Sequence, residues 1–264
     1  MTLLAIVLAT LVGGLLSVVI AATLTVGLIS RIVPHMVSIS AGVLLGTALL
    51  HLLPEAFEGH GHEHADPHAL FMALLGGLLF FFLLEKAELY RHSHHHEGDH
   101  PHHHHHHGFD AAQAGRGGWS VLVGDSIHNF CDGLIIAAAF LADGHVGVVT
   151  ALAIAAHEIP QEVGDYIVLL NAGLSRRRAL VYNAISGLAA VLGGLIGYFA
   201  IGAFQDYLPF LLVVASSSFV YVAVADLIPQ LQQRLNLRET VIQVSWLGAG
   251  LLVIASITGG VHLH

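Results

Sequence analysis

Long apolar runs, broken at intervals by glycine, proline, histidine and charge, set the pattern of this chain. About 20 apolar residues cross a bilayer as a helix. Eight runs reach that length: Leu3 to Ile29, Met36 to Phe57, Ala69 to Tyr90, Trp119 to Ala142, Val146 to Asn171, Ala179 to Ile201, Pro209 to Leu231 and Thr240 to Val261. The first has no basic n-region before it and is longer than the apolar stretch of a signal peptide, so it reads as a retained helix. The pattern predicts an all-α, polytopic membrane protein, with residues 1–264 forming a single domain of eight transmembrane helices.

Composition points the same way. Of 264 residues, 55% are hydrophobic and 10% charged, and the mean hydropathy is +0.76. A soluble domain wets its surface with about 25% charged residues, so the expected surroundings are a lipid bilayer and the expected location a cell membrane crossed many times. Nine Lys and Arg stand against 18 Asp and Glu, which leaves no basic footprint and excludes nucleic acid as a partner. A lone cysteine, Cys131, can form no internal disulfide and cannot build a thiolate zinc site.

Basic residues in short loops stay on the cytoplasmic side. Arg31 falls between spans one and two. Lys86, Arg91 and Arg116 border the loop between spans three and four. Arg176, Arg177 and Arg178 precede span six, and Arg234 and Arg238 precede span eight. The stretches Glu58 to His68, Asp143 to His145 and Gly202 to Leu208 hold none. All nine therefore share one side if the number of spans is even and both termini are extracellular or periplasmic.

Histidine is in excess, with 22 residues. Eleven lie between His92 and Gly118, including the run His102 to His107. Such a low-complexity segment buries no core and is expected to be a disordered cytoplasmic loop, residues 92–118, that captures metal through neutral imidazole. A shorter loop carries His60, His62, His64 and His68.

Two spans are far too polar to face lipid. Span four contains Gly124-Asp125-Ser126-Ile127-His128-Asn129-Phe130-Cys131-Asp132-Gly133, and span five Ala156-His157-Glu158-Ile159-Pro160-Gln161-Glu162-Val163-Gly164-Asp165. His128 and Asp132, His157 and Gln161, and Glu158 and Glu162 are each four apart, so each helix presents one polar stripe. Facing stripes of imidazole and carboxylate suit Zn, Fe(II), Mn and similar divalent ions. Buried negative charges without a cation would be severely unfavourable, which favours a metal site over a hydrogen-bonded packing network. Pro160 cannot donate to the carbonyl of Ala156, which predicts a kink and a free acceptor beside the ligands. Asp125 and Asp165, one turn before and after, extend the stripes as candidate pathway residues together with Gln161.

The runs His-Asn-Phe-Cys-Asp-Gly at 128–133 and His-Glu-Ile-Pro-Gln-Glu at 157–162 resemble the paired signatures of the ZIP (Zrt/Irt-like) divalent-metal transporters, and the continuation Val163-Gly164-Asp165 is similar to the LIV-1 branch. The likeness covers the whole chain. It implies a transporter rather than an enzyme, carrying zinc, with Fe(II), Mn(II) and Cd(II) as further cargo, into the cytoplasm. It implies a binuclear centre as well: His128, Asp132, His157 and Glu162 on one ion, and Asn129, Asp132, Glu158 and Glu162 on the other. Two departures stand out. Gln161 occupies a position where the LIV-1 signature often has His, and Ser186-Gly187-Leu188-Ala189-Ala190 on span six carries no carboxylate. A homodimer is the candidate assembly.

A weak internal symmetry accompanies these motifs. His51-Leu52-Leu53-Pro54-Glu55-Ala56 closes span two and Asp226-Leu227-Ile228-Pro229-Gln230-Leu231 closes span seven, on opposite faces by the charge rule. Inverted repeats of this kind mark secondary transporters, and they make His51 and Glu55 candidates for the outer approach and Asp226 for the inner one. The competing class is an intramembrane zinc hydrolase. A zincin motif would need His where Gln161 stands, and a three-His catalytic site would need a third deep histidine.

Overall fold

The computed structural model describes residues 1–23, 26–58, 66–93, 111–171, 173–201, 205–232 and 236–259. These residues form eight membrane-length helices and no strand. They are α1 (Thr2–Thr23), α2 (Val26–Thr47, continuing through Ala48–Leu52 and Leu53–Glu58), α3 (Pro67–Ser93), α4 (Ala111–Ala142), α5 (Gly144–Asn171), α6 (Arg176–Ile201), α7 (Leu208–Tyr221, continuing through Val222–Leu227 and Ile228–Gln232) and α8 (Leu237–Gly259). Six meet the length and apolarity of a membrane span on their own. The other two, α4 and α5, carry the polar stripes, and their 32 and 28 residues are still ample to cross. Large apolar side chains face outward along the others, among them Leu8 and Val12 on α1, Leu75 and Leu79 on α3, Leu188 and Leu192 on α6 and Val244 and Leu252 on α8.

Two boundaries differ from the sequence expectation. The polar stretch Ser30 to His35 lies inside α2, so the first helix stops at Thr23 and the second is already under way at Val26, not after Ile29. Pro34 sits inside the helix without ending it, and Ser38 donates to the Pro34 carbonyl at 2.8 Å. The other difference is that α4 begins at Ala111, eight residues before Trp119, because Ala111, Ala112, Gln113 and Ala114 are strong helix formers. Residues 94–110, with most of the histidine tract, and His60, His62 and His64 lie outside the described residues.

Local chemistry explains the tight corners. Asp66 caps α3 by accepting from the His68 N–H at 3.1 Å, with Pro67 at the first helical position. A single residue, Asp143, joins α4 to α5, and its Oδ1 accepts from the backbone N–H groups of His145 at 2.7 Å and Val146 at 3.3 Å. The end of α5 is a Schellman turn: Leu174 donates to Leu169 and Gly173 to Leu170, with Gly173 at φ 83°, a left-handed conformation that suits glycine.

Packing divides the helices into two groups. In the first, α4 lies against α6, α1 against α5 and α6, and α4 against α5. In the second, α2 lies against α8, and α3 against α7. The groups meet where α2 touches α5 and where α4 touches α7, and α2 also touches α7 within the second group. Exchanging α1 with α6, α2 with α7, α3 with α8 and α4 with α5 maps these contacts onto themselves, leaving only the small α3 to α4 contact without a counterpart. Successive spans cross in alternate directions, so each exchange pairs an odd helix with an even one and the repeat is inverted.

The paired motifs behave alike within this repeat. Each sits on a π turn, Ala48–Leu52 on α2 and Val222–Leu227 on α7. Leu53 donates to Ala48 and Ile228 to Ala223, five residues back. Pro54 and Pro229 follow immediately, and the widened turn relieves the clash of a proline ring with the carbonyl four residues earlier. Neither helix ends there.

Glycine sets the closest contact. A Cβ built on Gly133 would run into the Ala190 carbonyl, and one on Gly193 into the Phe130 carbonyl, so α4 and α6 touch backbone to backbone. That contact holds α4 at the centre of the first group.

Candidate metal centre

Four side chains converge between α4 and α5. His128 and Asp132 come from α4, and His157 and Glu158 from α5, each offering one ligand atom within 4.8 Å of the others. His157 Nε2 lies 3.2 Å from Asp132 Oδ2, 3.3 Å from His128 Nε2 and 3.7 Å from Glu158 Oε1. His128 Nε2 lies 3.7 Å from Asp132 Oδ2 and 3.8 Å from Glu158 Oε1. Ligands about 2.1 Å from a tetrahedral ion sit about 3.4 Å apart, so these separations match one shared cation.

The surroundings favour a cation too. Asp132, His157 and Glu158 are buried, whereas His128 retains 23% of its side-chain exposure. Neither carboxylate oxygen of Glu158 has a hydrogen-bond partner among the described residues. His157 Nδ1 faces the Ala153 carbonyl at 3.3 Å. A proton on Nδ1 leaves the Nε2 lone pair for the centre, the usual way a backbone carbonyl orients a ligand histidine. Phe219 of α7, itself buried, closes the apolar side with its ring 6.3 Å from that of His157.

Glu162, expected to join this set, lies outside the four-residue cluster, one turn further along α5. It is fully buried, and both of its carboxylate oxygens lack hydrogen-bond partners among the described residues. Asn183 of α6 donates to its backbone carbonyl at 2.9 Å and anchors that turn. Asn129 is buried on the same side of α4. Its Nδ2 donates to Asp125 Oδ1 at 3.0 Å and to the Asp125 carbonyl at 3.1 Å, so the amide oxygen is the atom left for a cation. Gln161 Nε2 reaches the same Asp125 Oδ1 at 3.1 Å. Asp125, Asn129 and Gln161 thus form one buried network tying α4 to α5 beneath the centre.

The remaining pathway candidates lie apart. His51, in the π turn of α2, meets the ring of His145 edge-on at 5.2 Å, and Glu55 follows one turn later. Asp226 is exposed in the π turn of α7, where Gln230 donates to it at 3.3 Å. Asp165 is half-buried on α5.

Sequence reasoning missed two polar side chains. One is Asn183. The other is Ser40 of α2, which donates to the Ala156 carbonyl at 2.5 Å. The carbonyl that Pro160 releases is therefore not free, because a serine from the second helix group supplies the missing donor. Pro160 signalled the need for that donor, but nothing local pointed to a residue so far away in the sequence.

Comparisons with known proteins point to one family. A family model described as "ZIP Zinc transporter" matches residues 1–93 and 84–258. Mouse "Zinc transporter ZIP4" is 32% identical over 270 residues, covering 82% of this chain and 40% of that protein. Human "Zinc transporter ZIP10" is 43% identical over 114 residues, 43% of this chain and 14% of that protein. Human "Zinc transporter ZIP6" is 39% identical over 113 residues, 43% of this chain and 15% of that protein. The matched stretches thus span well under half the length of these relatives. With a family model covering nearly its whole length and the paired motifs meeting at one centre, the chain belongs to the ZIP zinc transporter family.

Proposed function

We propose that this protein carries divalent metal ions, zinc first among them, through the membrane into the cytoplasm by way of the centre between α4 and α5. The observation that carries this reading is the spacing of four ligand atoms from two facing helices, matched to a tetrahedral ion, midway along both helices, with three of the four side chains buried. Glu162 and the Asn129 amide oxygen extend the ligand field by one turn, so Asn129, Asp132, Glu158 and Glu162 are the ligands of a second ion, with Asp132 and Glu158 shared. Fe(II), Mn(II) and Cd(II) fit the same nitrogen and oxygen donors and are further candidate cargo.

The route follows the inverted repeat. His51, Glu55 and the neighbouring His145 form the outer approach, Asp226 the inner end, and Asp125, Gln161 and Asp165 the polar wall between the centre and the cytoplasm. The charge rule puts all nine basic residues on the cytoplasmic side, with both termini outside. A cell-membrane location and a homodimer complete the proposal.

The intramembrane hydrolase fares worse, since four side chains fill a tetrahedral shell and leave no open position for a catalytic water, and Gln161 stands where a zincin has its second histidine. The deciding experiment is zinc uptake by proteoliposomes holding the intact chain or Asp132→Ala. The intact chain should accumulate zinc and the variant should not, and equal uptake by both would reject the reading.

A further inference from the structure

Ser40 departs from the habit of its neighbours. Most hydroxyls in these helices return to a carbonyl three or four residues back in their own helix: Thr10 to Ile6, Ser17 to Gly14, Ser38 to Pro34 and Ser216 to Leu212. Ser40 instead reaches across to α5, 116 positions along the chain, and donates to the Ala156 carbonyl at 2.5 Å. It is fully buried. The acceptor is the one backbone oxygen in the middle of α5 that the helix cannot satisfy, because Pro160 has no N–H to return. Away from water, a carbonyl left unpaired is strongly unfavourable.

Ala156 directly precedes His157 and Glu158, two of the four converging side chains. We propose that Ser40 is a positioning residue for the metal centre: its hydrogen bond supplies the donor that Pro160 lacks, holds that turn of α5 in place and thereby sets His157 and Glu158 in register with His128 and Asp132. Ser40 coordinates nothing itself. It acts through the Ala156 carbonyl, from the helix group that supplies none of the four ligand atoms. The inference rests on reading that cluster as a metal centre.

The test uses the full chain in detergent, measuring zinc affinity by competition with a chromophoric chelator, and the same variants in proteoliposomes, measuring KM and maximal rate of zinc uptake. Ser40→Ala should weaken zinc binding about ten-fold, the scale seen when an outer-shell partner of a metal ligand is removed. KM should rise more than the maximal rate falls. Ser40→Thr keeps the hydroxyl and should restore affinity to near the parent value. Pro160→Ala returns an N–H to the Ala156 carbonyl, so the Ser40→Ala penalty should shrink when the two changes are combined. Parent-like zinc affinity in Ser40→Ala would overturn the proposal, and so would a penalty undiminished by Pro160→Ala. If Ser40→Ala alone does not fold, Ser40→Thr and the double variant carry the same decision. Asp132→Ala in the same assay separates the two readings: unchanged affinity there rejects the metal centre, whereas its loss alongside parent-like Ser40→Ala rejects only the role of Ser40.

Discussion

His157 Nε2 on α5 faces Asp132 Oδ2 on α4 at 3.2 Å, the shortest of the distances that define the centre. Both residues are 2% exposed. An imidazole and a carboxylate held this close, with a second imidazole and a second carboxylate within 4 Å, make a compact donor set with net negative charge. A divalent ion would offset that charge, so losing Asp132 should remove both a ligand and the balance of the site. Asp132→Ala should abolish zinc uptake by proteoliposomes, while Asn129→Ala, which removes one neutral oxygen, should leave a measurable rate. Equal uptake by the two variants would contradict the central place of Asp132.

The contact between α4 and α6 has no room for a side chain at Gly133. Gly133→Val would force the α4 backbone away from the Ala190 carbonyl and displace His128 and Asp132 with it. The expected cost is at least about 3 kcal/mol, the upper range for overpacked cores. Size-exclusion chromatography in detergent should show loss of the folded species. Gly76→Val, at a position with nothing within 4 Å of the added carbon, is the control and should elute as the parent does.

Much of this architecture is written in local pattern. The apolar runs mark the helices because each must satisfy its own backbone in lipid, and the four-residue spacing of His128 with Asp132 and of Glu158 with Glu162 marks the stripes. Two kinds of information were not local. Ser30, Arg31, Pro34 and His35 look like a break, yet α2 runs through them, since one proline does not end a helix that packing already supports. The choice between Glu158 and Glu162 as the partner of His128, Asp132 and His157 depends on how α5 is rotated about its axis, and both residues lie on the same stripe. The tertiary contacts with α2 and α6, including Ser40 on Ala156 and Asn183 on Glu162, fix α5 in place, and neither leaves a trace in the sequence of α5.

At the α4 to α5 corner, burial pushes the Asp143 carboxyl up, but the backbone N–H groups of His145, Val146 and Gly144 outweigh it and hold the carboxyl below its ordinary range. A group depressed in the folded state contributes stability above its unfolded value, near 3.8, and loses it as pH falls through the lower folded value. Asp143→Ala should therefore cost about 1 kcal/mol at neutral pH as a lost helix cap. Asp143→Asn keeps the cap geometry without the charge, so its deficit against the parent should narrow as pH drops below about 4. Thermal unfolding in detergent across that range reads both effects, and a deficit that widened in acid would contradict the assigned role.

Glu158 and Glu162 provide the sharpest division of labour. Glu158 shares the four-atom cluster, with Oε1 3.7 Å from His157 Nε2 and 3.8 Å from His128 Nε2, whereas Glu162 stands one turn away with both oxygens unpaired among the described residues. Glu158→Gln keeps the size and removes the charge, and it should weaken the tighter zinc site more than ten-fold, the scale on which metal sites respond even to outer partners. Glu162→Gln should leave that tighter site nearly intact and instead lower the zinc bound at saturation from two ions to one, as the proposed assignment of Glu162 to the second ion alone requires. Equilibrium dialysis with metal analysis gives the stoichiometry, and chelator competition gives the affinity. The reverse result, with Glu162→Gln destroying the tighter site and Glu158→Gln sparing it, would restore the ligand set that the motif resemblance implies, with Glu162 beside His128, Asp132 and His157. It would also mean that α5 is turned about its axis when metal is bound.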